Sequence, residues 1–258
     1  MIDTGRGVLF PERMPRFHRL RPTPDAAELA VWFWIPEWDL PVGETSRQDV
    51  VACPALNLVV SPDGAHLVGA TTTATHRDLV GRGWVVGALL RPAGAAALTP
   101  DPASLRDAEI ALPAPDLVAA VTRAMTEGGQ DRLARAVEVV SRWLAAAAGA
   151  VSDAARQANA MSDVLMTDAT VRTAEQAATR LAVSLRTLQR MAHRYVGLPP
   201  LAMIRRRRLQ EAAQRVRDDS AADLSALAAE LGYADHAHLT GDFRAVLGMV
   251  PSDYRTRV

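Results

Sequence analysis

Two short stretches near the C-terminus carry side chains that can read nucleic acid. Arg and Gln form paired hydrogen bonds with the edges of guanine and adenine, and Arg, His, Ser and Thr reach phosphate oxygens. The candidate DNA-contacting residues of the first stretch are Ser184, Arg186, Thr187, Gln189, Arg190, His193 and Arg194, and those of the second are His236, His238, Thr240 and Arg244. The chemistry that these residue types predict is non-covalent recognition of a duplex.

The two stretches repeat each other along the chain. The first unit (residues 177–200) and the second unit (residues 227–251) share apolar, glycine and proline positions, and the matched pairs are Ala178 and Ala228, Leu181 and Leu231, Leu188 and Leu239, Gly197 and Gly248, and Pro200 and Pro251. The offset grows from 50 to 51 residues between the second and third pairs. The second unit therefore has one extra residue in its turn, at residues 233–235.

Each unit has the pattern of a helix-turn-helix. Apolar residues at helical spacing precede a tight turn, and Ser184 or Asp235 is placed to cap the helix that follows. The second helix of each unit would bury Leu188 or Leu239 and expose the polar residues named above. A connecting helix is predicted from Pro200 to about Asp218.

This stretch resembles the DNA-binding domain of the AraC/XylS family of transcription regulators. The matching residues are 184–190, Gly197 and Pro200, Arg208-Leu209 and Ala212, Leu227-Ala228, Gly232-Tyr233, His238-Leu239, Phe243, Gly248 and Pro251, and Tyr254-Arg255. The resemblance implies two recognition helices that enter successive major grooves, joined by a connector helix. It implies double-stranded DNA as the partner, and it raises a small-molecule effector, a contact with RNA polymerase and a homodimer as further partners.

Four consecutive arginines, Arg205–Arg208, lie in the predicted connector. They fan around a helix at about 100° per residue, so they cannot all face DNA. We expect Arg206 and Arg207 to contact phosphate, and the alternative is a solvated face that pairs with Glu211.

The two units differ at two matched positions. Gly241 of the second unit stands where the first unit has Arg190, and Ala192 of the first unit stands where the second has Phe243.

Composition sets limits on the function. The chain of 258 residues has a formal net charge of zero, but residues 162–258 hold 14 arginines against 11 acidic residues, and the remainder holds 15 against 18. No apolar run of membrane-spanning length, no secretion signal and a lone cysteine, Cys53, predict a cytoplasmic protein. Motifs for metal, phosphate or dinucleotide binding and for hydrolysis are absent from the sequence, so we expect a regulator without cofactor or metal, and not an enzyme.

Residues 1–150 read as a β-rich domain with C-terminal helices, and residues 151–258 as the DNA-binding domain, an α+β organisation. Short apolar runs broken by turns predict a small barrel or sandwich, and this region resembles the N-terminal sensor-like domains of AraC-type regulators. Trp32, Trp34 and Trp84 are candidates for an effector pocket, against the alternative that they are core residues. Two rival hypotheses remain: an N-terminal domain that only dimerises or contacts a protein, and an alkyl-acceptor thiol at Cys53.

Overall fold

The computed structural model describes residues 16–50, 54–127, 129–219 and 222–256. Cys53, and with it the alkyl-acceptor hypothesis, lies outside these residues. Among the helices in these ranges, none has both the length and the apolar character that crossing a bilayer requires. The same ranges hold no group of three or more His, Cys, Asp or Glu side chains that could bind a metal ion.

The N-terminal part is built from nine strands in the described residues. Their bounds are β1 (Arg16–Leu20), β2 (Ala30–Asp39), β3 (Thr45–Val50), β4 (Asn57–Ser61), β5 (Gly64–Val68), β6 (Thr75–Val80), β7 (Arg82–Trp84), β8 (Val86–Leu90) and β9 (Glu109–Leu112). Seven of them form one antiparallel sheet in the order β1-β2-β8-β4-β5-β9, with β7 paired to β2. The other two, β3 and β6, form a separate two-stranded ribbon.

Ten α-helices complete the described chain. They are α1 (Pro92–Leu98), α2 (Pro115–Glu127), α3 (Arg132–Ala148), α4 (Asp153–Thr167), α5 (Ala174–Arg180), α6 (Leu185–Val196), α7 (Pro200–Asp218), α8 (Leu224–Glu230), α9 (His236–Leu247) and α10 (Pro251–Arg255). The predicted α+β class is confirmed. All nine strands of the described residues precede α4, and from α4 onward these residues form only helices and their connections.

One face of the large sheet is buried beneath helices α2 and α3. Alternation along β2 and β4 places Phe33, Ile35, Leu58 and Val60 on that face, each fully buried, as period-two strands with one covered face require. The two helices contribute Leu117, Val121, Met125, Val137, Val140 and Leu144 to the same core. The apolar stripes of α2 and α3 therefore pack against the sheet of their own chain.

The three tryptophans do not line one pocket, which corrects the prediction that grouped them. Trp32 and Trp34 share the sheet face opposite Phe33 and Ile35 and are half-buried there. Trp84 pairs with Glu37, whose position along β2 puts it on the same face as Phe33 and Ile35. Because directly paired residues in an antiparallel sheet project from the same face, Trp84 lies on the other side of the sheet from Trp32 and Trp34.

Two buried clusters divide the helical region. The first runs from the sheet through α4, α5 and α6 and ends at Ile204 in α7, and the second begins at Leu209 and holds the second unit. The connector α7 thus contributes its first half to one cluster and its second half to the other. The division into two domains, residues 1–150 and 151–258, stays a prediction.

Candidate nucleic-acid interface

Both repeated units have the predicted capped second helix. Ser184 Oγ accepts from the backbone N–H of Thr187 at 3.1 Å at the start of α6. Asp235 Oδ1 accepts from the N–H of His238 at 2.7 Å at the start of α9. These side chains satisfy backbone donors that a helix start leaves unpaired. Each second helix ends at a left-handed glycine, Gly197 or Gly248.

The turns inside the two units use the same backbone conformation. Ala182 has φ of 52° and its counterpart Gly232 has φ of 75°. Ser184, which caps α6, comes three residues after Leu181. Asp235, which caps α9, comes four residues after Leu231. The extra residue of the second unit brings Tyr233 into the core, where it is 5% exposed.

The candidate reading faces of α6 and α9 are open to solvent. In the first unit Arg186, Gln189, Arg190, His193 and Arg194 are exposed, and so is the capping residue Ser184. In the second unit His236, His238 and Arg244 are exposed. Thr187 and Thr240 are half-buried and bond to neighbouring side chains of the same helix, Thr187 to Ser184 and Thr240 to His236. The opposite sides of both helices are buried through Leu188, Ala192, Leu239 and Phe243.

Arg206 and Arg207 do not face solvent, so the prediction that they contact phosphate is wrong for this conformation. Their exposed fractions are 4% and 2%. Arg206 Nη2 donates to the carbonyl oxygen of Thr71 at 2.7 Å. Arg207 donates to the carbonyl oxygen of Leu165 in the last turn of α4 and to those of Asp168 and Val171 in the connection that follows it. A guanidinium is favourable there, because the end of a helix presents unpaired carbonyls and a partial negative charge.

The other two arginines of the run hold the second unit. Arg205 Nε donates to Asp242 Oδ2 of α9 at 2.6 Å. The Arg208 guanidinium lies 3.9 Å from the centre of the Tyr233 ring, a cation–π contact. Burial, and then the charge of Asp242, raise the pKa of the Tyr233 hydroxyl above its ordinary value. The four consecutive arginines therefore contact four different parts of the molecule.

Asp242 and Tyr233 are positioning residues that the sequence analysis missed. Asp242 is 8% exposed and sits on the side of α9 that faces the connector. The sequence contained a signal for this, because the other polar residues of α9 are His, Thr and Arg. A single acidic residue among them is expected to point away from a phosphate backbone. The pair with Arg205 fixes the rotation of α9 about its own axis relative to α7.

A second link joins the two units directly. Arg172 precedes α5, and its Nη2 donates to the carbonyl oxygen of Glu230 at the end of α8 at 2.9 Å. Asp168, in the same connection, accepts from Thr170 and lies near Arg180 and Arg207, and these contacts lower the pKa of its carboxyl group. The path between α4 and α5 is thus tied to both units.

The first unit compensates for its small core residue by packing on the N-terminal part. Ala192 has no exposed surface, and the buried side chains of Tyr195 and Met203 lie in the same cluster. The end of α6 is so close to the 3-10 turn Pro102–Leu105 that a Cβ added at Gly197 would stand 2.8 Å from Ala103 Cα. The core of this unit is therefore shared with the N-terminal part.

Family comparisons agree with the repeat. Residues 177–257 match a family described as a helix-turn-helix domain, and residues 18–111 match one described as a domain of unknown function (DUF6597). A protein of Streptomyces antibioticus described as an AraC-like transcription regulator is 37% identical over 123 residues, 48% of this chain and 39% of that protein. One from Streptomyces lividans with the same description is 36% identical over 123 residues, 48% of this chain and 38% of that protein. The chain spans about two fifths of the length of these relatives.

Solved structures with a similar arrangement include ToxT of Vibrio cholerae. An apo variant superposes with a TM-score of 0.45 at 12% identity, over 87% of this chain and 97% of that one. Wild-type ToxT bound to an unsaturated fatty acid gives a TM-score of 0.45 at 10% identity, over 88% of this chain and 95% of that one.

Proposed function

We propose that this chain, which belongs to the AraC/XylS family of transcription regulators, reads specific duplex DNA through α6 and α9. The observation that carries the proposal is the repeated geometry of the two units. Each has a side-chain cap, a buried apolar side and an exposed side rich in Arg, Gln or His. Exposed arginines supply attraction to phosphate, and the side chains that reach base edges supply specificity.

The connector gives the proposal its mechanism. Helix α7 shares its side chains between both units, and Arg205, Arg207 and Arg208 are engaged with α9, with the end of α4 and with Tyr233. The two reading helices are therefore held at a fixed spacing before DNA arrives. Preorganisation of this kind lowers the entropy lost on binding.

The test uses the full chain and a pool of random duplexes. Repeated selection should enrich a bipartite sequence, and affinity for it should fall steeply with added salt, because phosphate contacts release counterions. If the selection enriches no particular sequence, or if the affinity does not depend on salt, the proposal of sequence-specific DNA binding is wrong.

For the N-terminal part we infer a small-molecule effector that contacts the sheet face carrying Trp32 and Trp34. The support is local: the Arg19 guanidinium lies 4.8 Å from the centre of the Trp32 ring, and Trp34 Nε1 donates to Asn57 Oδ1 at 3.0 Å. Aromatic faces beside a few placed polar groups are typical of ligand sites. The competing role is a surface for dimerisation or for a protein such as RNA polymerase.

A screen of small organic compounds separates these roles. A true effector should raise the melting temperature, quench tryptophan fluorescence and change affinity for the selected duplex. It should do none of these with the Trp32→Leu variant, while Trp84→Phe, on the other sheet face, keeps the response. If hits leave DNA affinity unchanged, the role as a contact surface is favoured.

A further inference from the structure

The N-terminal part contacts both reading helices at their C-terminal ends. The 3-10 turn Pro102–Leu105 packs against Gly197, which ends α6, and a Cβ added to that glycine would stand 2.8 Å from Ala103 Cα. The loop before β6 (residues 70–74) reaches the end of α9, where the Ala74 N–H donates to the carbonyl oxygen of Val246 at 2.8 Å. Two separate segments of the N-terminal part therefore meet the first and the second unit.

The carboxylate of Asp107 joins these two segments. Asp107 follows the 3-10 turn, and its Oδ1 accepts from the backbone N–H of Thr72 at 2.6 Å. The Thr72 hydroxyl donates to Asp107 Oδ2 at 2.7 Å. One residue thus engages both carboxylate oxygens, and hydrogen bonds to an ionised acceptor are roughly twice as strong as those between neutral groups. We call this contact the Asp107–Thr72 clasp.

The backbone of Asp107 is held in the left-handed region to make the clasp. Its φ is 57°, a conformation that costs free energy for any residue with a Cβ, although Asn and Asp enter it more readily than most. The Asp107 N–H donates to the carbonyl oxygen of Ala70 at 3.0 Å. Backbone and side chain of Asp107 therefore both bind the loop that reaches α9.

The second unit depends on such links because it has a core of its own. The first buried cluster ends at Ile204 and the second begins at Leu209, and α7 passes from one to the other. Between these positions Arg206 bonds the carbonyl oxygen of Thr71, in the clasped loop. Long helices curve, so a shared helix alone leaves the angle between the two cores adjustable. The contacts of the loop with α7 and with the end of α9 restrict that angle.

We propose that Asp107 is a positioning residue for DNA recognition, because its clasp holds the ends of α6 and α9 at one separation and so selects the spacing of the two base runs that they read. This inference rests on the proposed function, since it concerns the same two helices. Neighbouring base pairs lie about 3.4 Å apart along the duplex. A shift of a few ångström in the second unit is therefore enough to change the preferred spacer by one base pair.

The first test measures the separation of the reading helices without DNA. In a Cys53→Ser background, spin labels at Arg194→Cys and Arg244→Cys occupy exposed positions in the last turns of α6 and α9. Pulsed electron spin resonance on the full chain gives the distribution of distances between them. Asp107→Gly relieves the backbone but removes the clasp, so the distribution should broaden. Asp107→Asn keeps both hydrogen bonds, with its amide donating to the threonine hydroxyl, and should stay as narrow as the wild type.

Asp63→Gly is the matched control for the distance measurement. It also replaces an exposed aspartate by glycine, but in the turn between β4 and β5, outside the two clasped segments. Its distribution should match that of the wild type. An Asp107→Gly distribution as narrow as the wild type, or the same broadening in Asp63→Gly, would overturn the proposal.

The second test varies the spacer of the duplex that the wild type selects. One base pair added or removed should weaken wild-type binding about tenfold or more, because one helix then loses its base contacts. Asp107→Gly should bind the original duplex more weakly, since the spacing must be fixed on binding, and should lose only about threefold or less with the altered spacers. A wild type that is indifferent to the spacer would contradict the proposed two-helix recognition. A wild type that is sensitive to it, with an equally sensitive Asp107→Gly, would overturn the role of the clasp alone.

Discussion

Arg206 of α7 donates a hydrogen bond of 2.7 Å to the carbonyl oxygen of Thr71, 135 residues earlier in the chain. The loop that holds Thr71 also bonds the end of α9, through Ala74 and Val246. One loop of the N-terminal part therefore contacts both the connector and the second reading helix. A change in the conformation of that loop would therefore alter the position of α9.

Loss of either buried arginine should destabilise the protein without changing its phosphate contacts. Arg206→Ala and Arg207→Ala each leave buried carbonyl groups without a charged donor, which costs about 2–3 kcal/mol in the free energy of unfolding. Urea denaturation measures this cost. The exposed Arg186→Ala should stay within about 0.5 kcal/mol of the wild type. If Arg206→Ala keeps full stability but reduces the salt dependence of DNA binding, the guanidinium contacts phosphate after all.

Arg190→Ala should reduce discrimination between the selected duplex and random DNA. Arg190 is exposed on α6, and the loss of a base contact costs about 1–3 kcal/mol on the specific site alone. Fluorescence anisotropy with both duplexes measures the ratio of affinities. Arg123→Ala, at an exposed position of α2, is the control and should leave that ratio unchanged. An equal loss on both duplexes would mean that Arg190 contacts only the backbone.

Gly241→Arg should tighten DNA binding by adding a cation to the second reading helix. A Cβ at Gly241 meets nothing within 4 Å, so a side chain fits without strain. Gly241→Ala separates the two effects, because it should add about 1 kcal/mol of stability by replacing glycine within a helix but bring no charge. Binding titrations should rank Arg above Ala. Should Gly241→Ala itself abolish binding, the glycine is needed for close approach to the duplex.

The turn residues of the two units should respond in opposite directions. Ala182 adopts the left-handed conformation that Gly232 adopts in the second unit, and this conformation costs a residue with a Cβ about 1–2 kcal/mol. Ala182→Gly should therefore raise stability, by less than that cost because glycine is freer when unfolded. Gly232→Ala should lower it, and its Cβ would also stand 3.0 Å from Arg172 Cδ. Melting temperatures of both variants provide the comparison, and a stabilised Gly232→Ala would contradict the reasoning.

Much of the helical region was predictable because its determinants are local. Caps at Ser184 and Asp235, glycines that end α6 and α9, and apolar spacing all act within a few residues. The repeat of two units added the register and the extra residue of the second turn. The face shared by Trp32 and Trp34 follows in the same way, because side chains two residues apart on a strand project to the same side.

The partners of the charged and aromatic side chains were decided only by tertiary structure. The four arginines at 205–208 look alike in sequence, yet their different directions around α7 meet Asp242, Thr71, the end of α4 and Tyr233. Trp84 lies on the opposite face of the sheet from Trp34 because β7 pairs with β2 in a register that places Trp84 opposite Glu37. Sequence spacing determines the direction in which a side chain leaves its own helix or strand. What it meets there depends on elements more than a hundred residues away, and only the packed chain brings them together.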